Sequence, residues 1–437
     1  MNKIKNAEQY ILFCLVSLLL LTGLNSFFFI MKEALGYGPG TFFFTSQDRF
    51  ADLVKTALSY RDVLLKVPTL RNSIENLSQQ YQFYFYNNPY GGIKEIEGLT
   101  HFHMTPISTL LNILCGLAIA HGKSPDMIMF MLFSGCILLA FASTQLIVKN
   151  YKKSLFLVAL IVLSYPLLMT VTRGNYSAFF CGIGVIAFLN SLFINKKIDY
   201  FSILLFAIAI NFRPNAVILM LALPLMMGLR KSFLPAMKIT IAALAIFIFT
   251  YLYVNSIYPD YTLSSFSKGL SSYYKIYVIG SNGDAFSSSL YSALKMFSKN
   301  LDVITWIFKL FSVFFLLAAG RLIFQKNTNP EYYPFILSSL YILLTQVVGD
   351  YHLFVFIVPV FIIYNNFEYW QNDQKGLMVI TISTLLLLAP KNYFFIDGVS
   401  LQVAINPAIM LGASVFLYYK IETKPPVYIR KTKVKKP

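Results

Sequence analysis

Charge is what this chain has least of. Only 13% of its 437 residues are Asp, Glu, Lys or Arg, against 57% hydrophobic, where a soluble globular protein carries about 25% charged residues. That excludes a soluble globular domain as the broad class. Cysteine is scarce as well. Cys14, Cys115, Cys136 and Cys181 each lie in an apolar run without paired spacing, so neither a disulfide framework nor a zinc motif is implied. Also missing are a glycine-rich nucleotide loop, a low-complexity segment and repeated halves. Acidic residues number 19 against 36 basic ones, a net charge of +17. In so apolar a chain the basic excess reads as cytoplasmic Lys and Arg set by membrane topology, not as nucleic-acid binding.

What is abundant is apolar sequence. The runs at 10–31 and 125–148 are long enough to cross a bilayer, which takes about 20 residues. The first is too long for a signal-peptide core and has no small-residue cleavage site behind it, so it reads as a retained anchor. Further candidate spans lie at 154–171, 177–194, 200–211, 215–229, 236–256, 303–324, 334–348, 351–367, 376–390 and 403–419. The expected fold is an all-α polytopic membrane protein, a bundle of about 12 transmembrane helices with a large first outer loop.

Four regions follow from this reading. Residues 1–31 are the anchor. Residues 32–121 form the outer loop, with an amphipathic helix at 46–66 and a short apolar helix at 104–120 that dips into the membrane. Residues 122–419 form the bundle, with a second outer loop at 256–301 rich in Ser, Tyr and Gly. Residues 420–437 are a basic cytoplasmic tail, with seven Lys/Arg against Glu422 alone, placed against anionic lipid.

With the amino terminus cytoplasmic and 104–120 re-entrant, the cytoplasmic segments hold nineteen Lys/Arg, and the short outer turns only Arg173, Arg213 and Lys391. Full crossing by 104–120 would instead switch the amino terminus and residues 32–103 across the membrane; charge counting leaves both open. Arg173 and Arg213 run against the trend, each at the end of a span beside a Gly or Pro. Snorkelling would explain one such residue; two at chain breaks point to a binding role. A guanidinium grips phosphate with paired hydrogen bonds, which suits a phosphate carried by a lipid, and Gly174 lets a headgroup approach the backbone.

Other polar residues collect on the same side. Asp48 and Asp52, four apart, share a helix face; they read either as a solvated, capping face or as a general base beside the lipid phosphate. Asp350 and His352 stand at a turn between two spans, and Lys309 sits inside one, where snorkelling and function explain it equally. His101 and His103 flank Phe102, and a satisfied interfacial histidine is their simplest reading.

Five short segments resemble motifs of the polyprenol-phosphate-mannose-dependent mannosyltransferase-like family of C-type (GT-C) membrane glycosyltransferases. Asp52-Leu53-Val54-Lys55, after Asp48-Arg49-Phe50, is similar to the acidic motif behind the first span. Met104-Thr105-Pro106-Ile107 resembles a Tyr-Pro-Pro-Leu segment, and Arg173-Gly174-Asn175 a Gly-Gln-Val-Asn region. Phe212-Arg213-Pro214 resembles a Lys-Pro pair, and Thr345 to His352 a Ser-Pro-x-Ser-Trp-x-His-His motif, with Gly349 and Tyr351 where the Trp and first His would stand.

The resemblance implies a GT-C-like bundle with the first loop outside, and an inverting transfer of mannose or a related hexose. The donor would be a polyprenyl-phosphate sugar and the acceptor a hydroxyl of an envelope glycan or glycolipid. Asp52, or Asp48 one turn away, would be the catalytic base. Arg173 and Arg213 would bind the donor phosphate, while Asn175, His103, Asp350 and His352 would contact substrate. No cofactor is implied; clustered outer carboxylates are compatible with a divalent metal, although no ligand spacing calls for one. The implied setting is a bacterial inner membrane with both termini cytoplasmic, and no nucleic acid among the partners. Two other classes fit the same features: a lipid or oligosaccharide flippase, and an O-antigen-type polysaccharide polymerase.

Overall fold

The computed structural model of the protein describes residues 6–35, 104–280, 287–325, 330–389, 395–396, 399–400 and 402–423. The described chain is almost wholly helical; its only ladder is a two-residue antiparallel ribbon, Phe395–Ile396 with Val399–Ser400. Among the described residues five helices are long and apolar enough to cross a membrane: Asp126–Val148, Tyr176–Asn195, Leu229–Ile257, Leu301–Phe324 and Gln402–Glu422. A sixth span arises if Tyr151–Leu163 and Tyr165–Val171, bent by 65°, are taken together.

In chain order the helices used below are α1 (Ala7–Leu35), α2 (Pro106–Ala120), α3 (Pro125–Val148), α4 (Tyr151–Leu163), α5 (Tyr165–Arg173), α6 (Tyr176–Asn195) and α7 (Tyr200–Phe212). After a 3-10 helix, Pro214–Leu221, come α8 (Ala222–Met227), α9 (Leu229–Ile257), α10 (Leu263–Tyr273), a π-helical turn (Tyr274–Ile279), α11 (Leu290–Phe297) and α12 (Leu301–Phe324). Then follow α13 (Tyr333–Leu343), a second 3-10 helix (Asp350–Phe356), α14 (Ile357–Asn365), α15 (Phe367–Gln371), α16 (Gln374–Leu388) and α17 (Gln402–Thr423).

Several segments that read as continuous spans are broken, and prolines and caps account for the breaks. Proline lacks an N–H and pushes the residue before it out of the helical region. Ser164, with ψ 136, ends α4 while Pro166 opens α5. Arg213, at φ −141 and ψ 93, ends α7, and Pro214 starts the 3-10 helix. Side-chain caps fix other starts: Asn175 Oδ1 accepts from the Ala178 N–H at 3.1 Å and Asp199 Oδ1 from the Ser202 N–H at 2.8 Å.

The core is built round α6, which is buried along most of its length. Its close fit to α7 depends on Gly184: a Cβ there would lie 2.3 Å from the Leu205 carbonyl oxygen and 2.7 Å from the Ala209 Cβ. Phe188 and Phe206 stack across the same contact with centroids 4.0 Å apart. Small residues that let helix backbones approach closely are the usual means of packing in a membrane, where no hydrophobic force drives helices together. By contrast α9 and α12 show large apolar side chains outward, among them Phe249, Leu252, Phe314 and Leu317. Lys309 is exposed on that side of α12.

One end of the bundle is tied by polar contacts remote from Arg213. Lys153 Nζ donates to Asn365 Oδ1 at 3.0 Å, and Asn366 Nδ2 to Glu331 Oε2 at 3.0 Å. Lys420 forms a buried ion pair with Asp373, whose other carboxylate oxygen accepts from the Tyr332 hydroxyl. This differs from the expectation that Lys420 begins a basic tail against anionic lipid: α17 runs on to Thr423 and carries Lys420 back onto the start of α16. Residues 424–437 of the tail and 36–103 of the first loop, with the amphipathic segment at 46–66, lie outside the described residues.

Candidate functional site

The opposite end of the bundle gathers the chain breaks. There the end of α5, the start of α6, the end of α7 and the segment 345–352 meet, with α5 and α6 both packed on the second 3-10 helix. Gly174, at φ 73, ends α5 in the left-handed region that glycine adopts without strain. The chain then turns at once into α6.

Arg213 Nη2 donates to Ser177 Oγ at 3.1 Å, and Ser177 Oγ donates to Asn175 Oδ1 at 3.0 Å. The same Asn175 oxygen caps α6, so the guanidinium is referenced to a helix terminus through one hydroxyl. Arg213 Nε is buried and has no hydrogen-bond partner among the described residues. Among the described residues the groups that act on its charge include the hydroxyls of Tyr351, Tyr273 and Tyr341 and the Cys181 thiol, and no carboxylate. A buried donor left unmade costs about 1–3 kcal/mol. A guanidinium held this way is poised for an anion.

The turn that carries Asp350 and His352 is fixed on two sides. On one, Asn215 Nδ2 donates to Thr345 Oγ1 at 2.8 Å, tying the first 3-10 helix to the end of α13. On the other, the Ser287–Ser289 run pairs with it. The Ser288 N–H donates to the Val348 carbonyl at 2.8 Å, Ser289 Oγ to the Gln346 carbonyl at 2.6 Å, and the Val348 N–H to Ser287 Oγ at 3.2 Å. Asp350 is buried and accepts from the Ser288 hydroxyl. Asn406 Nδ2 donates to Ser288 Oγ at 2.9 Å and to Asp350 Oδ1 at 3.2 Å. Asp350 is therefore a brace between this turn, the 287–289 segment and α17.

His352 faces the other way. Its Nδ1 lies 3.4 Å from the Tyr341 hydroxyl, its ring centroid is 4.9 Å from that of Tyr351, and it feels the Arg213 charge. Gly349 makes the fold-back of Tyr351 feasible: a Cβ there would lie 2.6 Å from the tyrosine ring.

Next to this cluster the start of α2 is equally polar. The Tyr176 hydroxyl donates to Asn112 Oδ1, and the Tyr261 hydroxyl donates to the Met104 carbonyl at 2.7 Å. The segment after α10 is closed by Lys295, whose ammonium donates to the carbonyls of Val278 and Gly280 at 3.0 and 2.8 Å at the end of the π-helical turn. Cations favour such carbonyl-bearing helix ends.

Of the residues singled out from sequence, Arg173, Asn175, Arg213, Asp350 and His352 come together at this end. Asp350 braces the turn, and His352 lies near enough to Arg213 to feel its charge. Arg173 is part-exposed at the end of α5. Asp48, Asp52, His101 and His103 lie outside the described residues. Among the described residues no group of three or more His, Cys, Asp or Glu is placed to hold a metal ion; a divalent ion held by Asp48 and Asp52 would bind outside them.

Sequence reading missed Ser177, Ser288, Tyr273 and Asn406. Asn406 carried a usable signal, a lone amide beside Pro407 within an apolar span, because a polar group at membrane depth needs a partner. The partner itself, more than fifty residues back, was not readable. No family model matches the chain, and neither a curated protein nor a solved structure is significantly similar to it.

Proposed function

We propose that the protein is a lipid-dependent glycosyltransferase of the GT-C kind, built on a bundle of about 12 spans. In this reading it moves a sugar, mannose or a related hexose, from a polyprenyl-phosphate donor to a hydroxyl of an envelope glycan or glycolipid on the outer side of a bacterial inner membrane. The observation that carries the reading is Arg213: a guanidinium at a helix break, without a carboxylate partner among the described residues, its Nε unmade and its Nη2 aimed through Ser177 and Asn175.

The chemistry needs one base and a stabilised leaving group. Asp52, with Asp48 one turn before it, takes the proton from the acceptor hydroxyl. The freed oxygen attacks the anomeric carbon from the face opposite the phosphate, and the configuration inverts. The bond from the anomeric carbon to the phosphate oxygen breaks, and polyprenyl phosphate leaves with the electron pair. Arg213, with Arg173, meets the charge that develops there, the electrostatic stabilisation that matters most where water is excluded. Asn175 holds Ser177 against the guanidinium, and His352 with Tyr351 walls the other side. His103 belongs to the acceptor side of this scheme.

A second reading, a flippase for a lipid-linked oligosaccharide, is favoured by the broken helices, since transporters build their sites from interrupted spans. Binding of polyprenyl phosphate tests the shared part. Losing one charge-assisted contact is worth about 1.5–3 kcal/mol, so Arg213→Gln should weaken binding about tenfold to a hundredfold, and Arg173→Ala with Arg213→Ala further. Unchanged affinity in a folded double variant would remove both readings. Loss of lipid flipping with no sugar transfer by the wild type would select the second.

A further inference from the structure

Beyond α9 the chain runs through α10 and the π-helical turn, and its two ends are pinned in different ways. At the start Tyr261 is fully buried; its hydroxyl donates to the Met104 carbonyl at 2.7 Å, and its own carbonyl accepts from Asn255 Nδ2 at 3.0 Å. At the far end the only pin among the described contacts named above is Lys295, a half-buried side chain on the carbonyls of Val278 and Gly280. Its helix, α11, is itself fixed to the bundle, since the capping Ser289 donates to the Gln346 carbonyl at 2.6 Å. Between the pins α10 packs most closely on its own continuation, the π-helical turn, rather than on a span. It is rich in serine, leaves Leu263 and Leu270 exposed, and buries only Gly269. A segment with so little buried apolar contact is the kind that opens ahead of the core. Phe266, Gly269 and Tyr273, three and four apart, share its inward face. Tyr273 stacks on Tyr277 of the π-helical turn with centroids 4.7 Å apart, and it lies near enough to Arg213 and Tyr351 for their charges to act on one another. A line of contact thus runs from Lys295 through the π-helical turn and Tyr277 to Tyr273 and the guanidinium.

We infer that residues 262–280 form a strap that gates the Arg213 site, with Tyr273 as the side chain that closes it and Lys295 as the latch. The inference rests on the reading of Arg213 as an anion site and adds how that site opens. Arg213 Nε is buried without a partner among the described residues, so an oxygen reaches it only when a covering side chain moves. Ser177, Tyr341 and Tyr351 come from α6, α13 and the second 3-10 helix, which are buried along most or all of their length. Tyr273 comes from the one neighbouring element with little burial of its own. A π-helical turn is rare and recurs at functional sites, and here it joins the latch to the closing residue. Breaking two hydrogen bonds from one ammonium frees the far end, while Tyr261 stays seated as the hinge. Segments that close over a site in this way exclude water from it and commit the ligand.

The test is the rate at which phenylglyoxal modifies Arg213 in the full-length protein in detergent, read by peptide mass spectrometry. Arg230, exposed at the far end of α9, is the internal standard, and amide hydrogen exchange over 274–280 is read in parallel. The variants are Lys295→Met, Tyr273→Ala and, as a control that removes a charge from the same strap, Lys268→Met at an exposed position of α10. Melting temperature checks that each is folded. Loss of hydrogen bonds to a charged group shifts an opening equilibrium by about tenfold or more, so Lys295→Met should speed Arg213 modification by about that factor and also speed exchange over 274–280. Tyr273→Ala should speed modification with the latch intact and exchange near wild type. Lys268→Met should change neither, and Arg230 should react alike throughout. An unchanged Arg213 rate in folded Lys295→Met and Tyr273→Ala proteins would overturn the gate. Faster exchange in Lys295→Met without faster modification of Arg213 would overturn it too, since Lys295 would then hold only its own turn. Undecaprenyl phosphate added beforehand tests the underlying reading separately: it should slow modification of Arg213, and Lys295→Met should reach that protection sooner after mixing. If the lipid never protects Arg213 while the variants behave as expected, the phosphate reading fails and the gate stands.

Discussion

Removing either half of the Lys420–Asp373 pair should destabilise the protein, but unequally. Both side chains are buried, and breaking a buried pair from one side costs about 3–5 kcal/mol, because the remaining charge is left in a poor medium. After Lys420→Met the carboxylate keeps the Tyr332 hydroxyl and the Gly376 N–H at 3.2 Å, so the cost falls to about 2 kcal/mol. After Asp373→Asn the ammonium keeps the faces of Tyr332 and Phe416, at 5.9 and 5.6 Å, a weaker replacement, and the cost stays near about 3–4 kcal/mol. The double variant should fall short of the sum by about 2 kcal/mol, the signature of direct contact. Equilibrium unfolding in mixed micelles reads all three differences. The contribution also has a pH range. Burial alone would raise the Asp373 pKa, but the Lys420 ammonium, the Tyr332 hydroxyl and the Gly376 N–H outweigh it and hold the carboxyl below its usual range. A depressed folded-state pKa means that the stabilisation is complete above the unfolded value of about 3.9 and is lost only as pH falls through the folded one. Single-variant costs that simply add, within about 0.5 kcal/mol, would refute the pair and return Lys420 to the basic tail.

Two further substitutions probe the packing and the brace. Gly184→Ala places a methyl against the Leu205 carbonyl, which belongs to helix backbone and cannot swing away. It should cost about 1–3 kcal/mol, whereas Gly320→Ala, with open space around it, should be neutral or stabilising by up to about 1 kcal/mol; equal effects in an unfolding titration would contradict the α6–α7 contact. Asn406→Ala removes the donor to Asp350 and should cost about 1.5–3 kcal/mol. Asn406→Asp should cost more, because it sets two carboxylates face to face; a stability ranking in the reverse order would show that Asn406 does not contact Asp350.

What was legible in the sequence follows from how local each signal is. Proline is local, so the break at Arg213-Pro214 and the short helices on either side were readable. Arg173 and Arg213 stood out because charge is rare here and both defied the topological trend. What Pro214 could not announce is that the chain continues as a 3-10 helix rather than an α-helix, with Ala216 and Leu219 buried. The Ser288–Asp350–Asn406 brace joins three segments far apart in the chain, and no periodicity reports a partner at that distance. Lys420 was misplaced for the same reason: counting charges assigns it to the tail, and only the fold brings Asp373 to it. The continuous span expected at 154–171 is instead bent by 65°, with Ser164 ending one helix and Pro166 opening the next.

The most direct measurement is transfer of radiolabelled mannose from polyprenyl-phosphate mannose to crude envelope acceptors by the purified protein in lipid vesicles, beside Asp52→Asn and Arg213→Gln. The account predicts transfer by the wild type. Asp52→Asn should lose transfer while still binding donor, and Arg213→Gln should need a higher donor concentration for the same rate. Full transfer by a folded Asp52→Asn protein, or none by the wild type with any polyprenyl-phosphate sugar, would contradict it.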